Sequence, residues 1–417
     1  MIKAKRIIPN YSWISGIVKV KNTCQMVSKV FLSRLQGKRH LLYDVSEIVR
    51  RDAKTGIQRV VREFYLFLIN NCPPGYVVYP ICAGSDKPYS YLKINCFNMR
   101  YPYTSHRVKI KPGDIYCAMD LCQHIITKHS EELNHWKEKG ALLYFFIHDL
   151  LPYLHPQWFN EADADVFISW LKSVTQLADG FLCSSKVVQQ DIIQYMKAYY
   201  EPQKNILPQI IPLGANFTQS IRSKGFPSNA KALFAQWKER ITILMVGTIE
   251  PRKGHDDILS AIEMLWLQGT ELNLIIVGKA GWKTDTLQER IRCHPEKDEK
   301  LFWLEHISDQ MLEKVYQNTQ GLIFASQAEG FGLPLIEALY YKKAVLARDI
   351  PIFRETGGES VSFFKGEDRN TLSEEIHSWL NTIQQGKTQS RGYGRTWDDA
   401  GRELLSCLPL KKSEPGN

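Results

Sequence analysis

The chain has 417 residues, 44% of them hydrophobic and 23% charged, a globular composition too long for one ordinary core, so two domains are expected. It has no run of eighteen apolar residues, and its basic opening, MIKAKRIIPNYSW, lacks an apolar core and a cleavage site, so neither a transmembrane helix nor a secretory leader is expected. The net charge of +9 belongs to the start: residues 1–40 hold nine lysines and arginines and no acidic residue, and the remainder is balanced.

Residues 1–39 therefore read as a basic arm. Val20, Cys24, Val27, Phe31 and Leu35 recur at helical spacing, which suits an amphipathic helix on an anionic membrane surface, at ~1 kcal/mol per basic residue. The alternative is a helix packed on its own domain with a solvated basic face. Nucleic acid is not an expected partner, because no basic stripe with interleaved aromatics follows. The nine cysteines show no CxxC pairs or zinc-ligand spacing and read as reduced structural thiols of a cytoplasmic protein.

From residue 40 the pattern becomes strand, turn, helix. HLLYDVS (40–46) predicts a strand with a polar loop behind it, and TGIQRVVREFYLFLI (55–69) a helix whose apolar face is Ile57, Val60, Val61 and Phe64. YVVYPIC, DIYCAMD, ALLYFFIHD and GFLCSS are further strands, with a helix over 161–178. IIPLGAN closes this half near residue 220, and 217–240 reads as a linker region. The alternation restarts with ITILMVGT, LNLIIVGK, LFWLEHI, GLIFAS and KAVLAR. The expected architecture is α/β: two Rossmann-like, doubly wound domains (40–220 and 221–395) facing across a cleft, followed by a terminal segment, 396–417. Ligands of such sheets bind beyond the carboxyl ends of the strands.

Four strand ends carry chemistry. VGTIEPRKGH (246–255) sets Arg252 and Lys253 side by side before a helix, a pair suited to a diphosphate; the plainer account is a solvated basic loop. EGFGLPLIEAL (329–339) follows GLIFAS. Pro334 suits a first helical turn, Gly330 and Gly332 allow close backbone approach, and the helix start is an anion site. Glu337 is expected in the first turn, where it would accept paired hydroxyls or merely complement the dipole; Glu329, in the loop, escapes the second account. FFIHDLLP puts His148 and Asp149 behind a buried strand, facing the cleft or simply satisfied locally. RRDAKTGIQ places Gly56 at a helix start, either as a phosphate or acceptor contact or as ordinary backbone behind a Thr55 cap. Asp163 and Asp165 open a helix and read as dipole partners, not metal ligands. No metal site, Walker loop, GxSxG or GxGxxG is present.

These motifs resemble the retaining GT-B glycosyltransferases of family 4, also called group 1. EGFGLPLIEAL is similar to the family's E-x7-E segment, VGTIEPRKGH to its phosphate loop, IHDLLP to its His-Asp segment, IIPLGAN to the end of its first domain, and RTWDDAGRELL (395–405) to a helix that crosses back onto that domain. LLYDVSEIVRRDAKTGIQRVVRE resembles the members that build O-antigen and other surface polysaccharides, many from GDP-mannose.

The resemblance implies that Arg252 and Lys253 hold the donor diphosphate, that Glu337 binds the ribose, and that Glu329 contacts the donor sugar with the backbone of Gly330, Phe331, Gly332 and Leu333. It places His148 beside the transferring sugar and Gly56 in a first-domain glycine loop, with Gly56 and Asp149 as acceptor or phosphate contacts. Gly247 and Thr248 fall in the donor loop; many members are basic shortly after that glycine, so Thr248 shifts the phosphate load to Arg252 and Lys253. It further implies a nucleotide-sugar (GDP- or UDP-linked) as substrate, a glycan or lipid-linked acceptor, no metal or other cofactor, and a cytoplasmic location, peripheral at the inner face of the plasma membrane. Two other readings stay open: a GT-B scaffold without catalysis, and a phosphorylase or epimerase on the same fold.

Overall fold

Apolar runs of four to six residues cannot bury both faces unless helices cover them, and here they do so twice. The computed structural model describes residues 38–92, 103–199, 206–216, 223–387 and 391–410; the basic arm up to residue 37, the helix expected within it and the last seven residues lie outside them, and Arg39, counted with the arm from sequence, opens the first strand. The first half builds an eight-stranded sheet from β1 (Arg39–Asp44), β2 (Tyr76–Gly84), β3 (Lys87–Leu92), β4 (Tyr103–Arg107), β5 (Ile115–Ala118), β6 (Leu142–Ile147), β7 (Gly180–Cys183) and β8 (Gln209–Ile210). Their spatial order is β4-β3-β2-β1-β5-β6-β7-β8. The second half forms a six-stranded parallel sheet from β9 (Ile241–Val246), β10 (Leu272–Val277), β11 (Leu301–Leu304), β12 (Gly321–Phe324), β13 (Ala344–Arg348) and β14 (Ser362–Phe364), ordered β11-β10-β9-β12-β13-β14. That is the nucleotide-binding order, with its reversal between β9 and β12.

The register is regular at both reversals: β1 pairs with β5 from Leu41–Ile115 to Asp44–Ala118, and β12 pairs with β9 at Gly321–Ile243 and Leu322–Leu244. Three expectations are corrected. The first sheet is not wholly parallel, because β3 and β4 add an antiparallel edge to β2. The polar stretch after β1 is a short helix, Ser46–Arg50. The region read as a linker contains the helix Ala230–Trp237, whose Trp237 is fully buried and whose Leu233 and Phe234 pack against the same core.

Three apolar clusters form the core. One joins both halves, running from Tyr43, Phe64 and Phe146 to Phe331, Leu335, Ile336 and Phe353. The C-terminal helix Trp397–Cys407 lies on the helix Gly56–Asn70, with Trp397 edge-on to Phe64 at 5.9 Å. The seven described cysteines are all free. No helix among the described residues is long and apolar enough to cross a membrane.

Candidate active site

The loops behind β9 and β12, at the reversal of the second sheet, carry the charged residues. After Gly247 the chain rises to Glu250, makes one 3-10 turn (Pro251–Lys253), and passes through Gly254 at φ +67° into the helix His255–Leu267. Arg252 Nη1 donates to Ala328 O at 2.8 Å and lies 3.1 Å from Glu329 Oε2, while Nη2 is 2.8 Å from Glu250 Oε1. Lys253 Nζ pairs with Glu329 Oε1, and its stem passes a Gly247 that could bear no more than a close methyl. Thr248 is half-buried in the same loop. Burial pushes the Glu329 carboxyl up, but Arg252 and Lys253 overcome it and hold it at about 2, so it is ionised. Burial would lower Arg252; the carboxylates of Glu329 and Glu250 raise it instead.

The loop then crosses to the first half. A Cβ on Gly330 would lie 1.9 Å from His148 O, so only glycine fits. Its carbonyl accepts hydrogen bonds from Ser184 Oγ at 3.1 Å and Ser185 Oγ at 2.8 Å, both at the end of β7. Phe331 is buried in the shared core, and Gly332, at φ +91°, caps the helix Leu333–Tyr340 with Pro334 in its first turn. His148 follows β6, and its Nε2 donates to Met119 O at 2.8 Å, which leaves Nδ1 as the acceptor. Burial holds this imidazole at about 4, so it is neutral at pH 7. Asp149 caps Leu151 N at 3.0 Å; burial raises its pKa and nearby Arg252 opposes that.

Glu337 is corrected on one point: it is the fifth residue of its helix, in the second turn and off the exposed N-terminus. It is buried, paired with Arg59 and bonded to Tyr316 Oη at 2.8 Å. Burial raises its pKa and Arg59 opposes the rise. Arg59 lies one turn beyond Gly56, whose Cβ position is 3.4 Å from Leu333 Cδ1, so the glycine loop meets the EGFG helix directly. Thr55 closes a reciprocal cap with Gln58. The structure thus brings Arg252, Lys253, Glu329, Gly330, His148 and Asp149 into one cluster, with Glu337 and Gly56 in a second beside it.

Arg59, Glu250, Ser184, Ser185 and Tyr316 were not singled out from sequence. The serines stand at a strand end, and Glu250 and Arg59 lie inside quoted motifs, so these had a local signal; Tyr316 had none. Among the described residues no group of three His, Cys, Asp or Glu could hold a metal ion.

Residues 231–392 match the family model for glycosyl transferases group 1. The chain is 36% identical over 384 residues to the serotype-specific mannosyltransferase WbdA of Escherichia coli, covering 90% of this chain and 47% of that one. It is similar in structure to Anabaena Alr3699/HepE in complex with UDP-glucose (TM-score 0.59, 16% identity, 88% of this chain and 100% of that one). It is also similar to the sucrose-phosphate synthase of Thermosynechococcus elongatus (TM-score 0.58, 15% identity, 88% and 94%). A largely parallel sheet facing a wholly parallel one with a charged switch point is the architecture of the GT-B class of glycosyltransferase. Within that class, the stretch 231–392 carries the sequence pattern of the group 1 glycosyl transferases. It spans about half the length of the curated WbdA relatives it matches.

Proposed function

We propose that the chain transfers mannose, with retention, from a nucleoside-diphosphate sugar to a glycan or lipid-linked oligosaccharide in O-antigen construction. The observation that carries this is the pairing of Arg252 and Lys253 with Glu329 at the switch point, across from neutral His148. A diphosphate entering there takes over cations now shared with Glu329, and the same cations neutralise the charge that develops on the departing phosphate. The freed Glu329 turns to the sugar hydroxyls, and Glu337, once it shares Arg59, to the ribose. In this scheme the acceptor hydroxyl enters on the face the phosphate leaves, and that phosphate takes its proton. The cations make a metal unnecessary in this scheme. GDP-mannose is the favoured donor, UDP-linked sugars the alternative. The arm, residues 1–39, would hold the enzyme at the inner face of the plasma membrane.

The test is incubation with GDP-, UDP- and ADP-sugars and a mannoside acceptor, with NMR of the product. Transfer from GDP-mannose with the donor's anomeric configuration kept, undiminished by EDTA, is expected. Turnover of none of these donors would overturn the reading.

A further inference from the structure

Behind β6 and β10, beside the charged site, three large aromatic side chains lie outside the core. Trp158, Phe159 and Trp282 are half-buried, and none contributes to the three apolar clusters. They pack on one another and on His155: His155 stacks on Trp158 with centroids 4.2 Å apart and planes 25° from parallel, and Phe159 leans on Trp282 at 6.1 Å and 33°. Their orientation is fixed by bonds between the halves. Trp282 Nε1 donates to Trp158 O at 2.7 Å, and Lys283 Nζ donates to Gln157 O at 3.0 Å and Phe159 O at 2.5 Å.

Both aromatic-bearing loops are continuous with the site. Trp158 lies ten residues beyond His148 on the segment that follows β6. The loop of Trp282 is laid on the cation loop: Ile249 N donates to Lys279 O at 2.9 Å, Thr284 Oγ1 donates to Ile249 O at 2.9 Å, and a Cβ on Gly281 would sit 2.2 Å from Ile249 O. The rings are therefore anchored to the chain that carries Arg252 and Lys253 on one side and to the chain that carries His148 on the other.

We infer that Trp158, Phe159 and Trp282 form a platform for the sugar rings of a glycan acceptor, against which the chain's end is held while it is extended. This rests on the glycosyltransferase reading. The negative face of an aromatic ring attracts the electropositive C–H groups on one face of a pyranose, and two or three rings in fixed planes do so without ordering flexible side chains. A nucleotide is the poorer fit, because the lysine in this loop spends its ammonium on backbone carbonyls.

The experiment measures KM for manno-oligosaccharide acceptors, KM for GDP-mannose, and acceptor-free donor hydrolysis, in the full chain and its variants. Trp282→Ala and Trp158→Ala are expected to raise the acceptor KM roughly tenfold, more for longer acceptors, with donor KM and hydrolysis unchanged. Trp282→Phe keeps a stacking ring and is expected to recover most of the loss. Phe159→Ala, which removes a ring without a side-chain hydrogen bond, gives the same readout if the tryptophan variants do not fold. An active enzyme whose variants keep the parental acceptor KM, or lose donor KM equally, overturns the platform alone. A parental chain that turns over none of the GDP-, UDP- and ADP-sugars overturns the glycosyltransferase reading and the platform with it.

Discussion

Glu329 is the residue on which the site turns, because it is the shared partner of both buried cations. Lys253→Ala is expected to lower kcat/KM by about 100- to 1,000-fold, the scale of a lost transition-state donor. It also leaves Glu329 buried with Arg252 alone, at a stability cost of about 1–3 kcal/mol. Adding Glu329→Gln removes the uncompensated charge, so the double variant should regain stability in urea while staying inactive. His148 gives a second prediction. The unfolded chain binds a proton near pH 6.5 that the folded imidazole refuses until about pH 4, so His148's contribution is complete above 6.5 and is lost as pH falls. His148→Asn should flatten unfolding free energy against pH between 4 and 6.5, by up to ~1.4 kcal/mol per pH unit. Arg252, Lys253 and Glu329 were legible because strand-end loops announce themselves locally. The pairing of Arg59 was not: its partner Glu337 is 278 residues away, and on its own helix it is one more arginine.

At the scale of elements, the helix Gly56–Asn70 carries most of the weight, since it bears the glycine loop at one end and the returning C-terminal helix along its side. Its reciprocal cap makes Thr55→Ala worth about 1 kcal/mol of stability. Gly401 is the tighter constraint. A Cβ there would fall 2.2 Å from Cγ of the buried Phe67, and a ring held on all sides cannot withdraw. Gly401→Ala should therefore destabilise by about 1–3 kcal/mol in a urea titration, and full stability in that variant would mean the helices are not packed this closely. Strands and helices of the main alternation were readable from period and apolar runs. The β3–β4 edge was not, because LysProTyrSerTyrLeu is half polar and shows no strand alternation of its own. The helix Ala230–Trp237 was hidden because it is only eight residues long and follows a polar stretch with a Gly-Phe-Pro-Ser turn.

In the whole molecule the halves are joined away from the chemistry as well as at it. Glu355, from the second half, accepts from the backbone N–H of Lys186 at 2.7 Å and of Val187 at 3.3 Å, so it caps a first-half helix across the cleft. Ser185 binds Gly330 O from the same side. The pair Glu355→Ala and Ser185→Ala should loosen the closed arrangement while sparing Arg252 and Lys253. Small-angle scattering would then show a larger radius of gyration without ligand, reversed by saturating GDP; an unchanged radius would deny these contacts a part in closure. No sequence pattern announces such bonds, since the partners lie well over a hundred positions apart.

Residues 206–216 end the first half, residues from Ser223 onward build the second, and residues 393–397 lie back against the first. The first and last of these stretches are stitched together: Tyr393 Oη donates to Leu213 O at 2.7 Å, Arg395 Nε to Pro212 O at 2.8 Å, and Trp397 N to Asn216 Oδ1 at 2.7 Å. A single crossing would act as a ball joint with three rotations. Two crossings fastened side by side act as a door hung on two pins, stiff to twist and sideways roll and free about one axis. An opening about that axis would return Gly330 to the same register against His148, so an enzyme that repeats one reaction along a growing chain would re-form the same site at every step without searching for it.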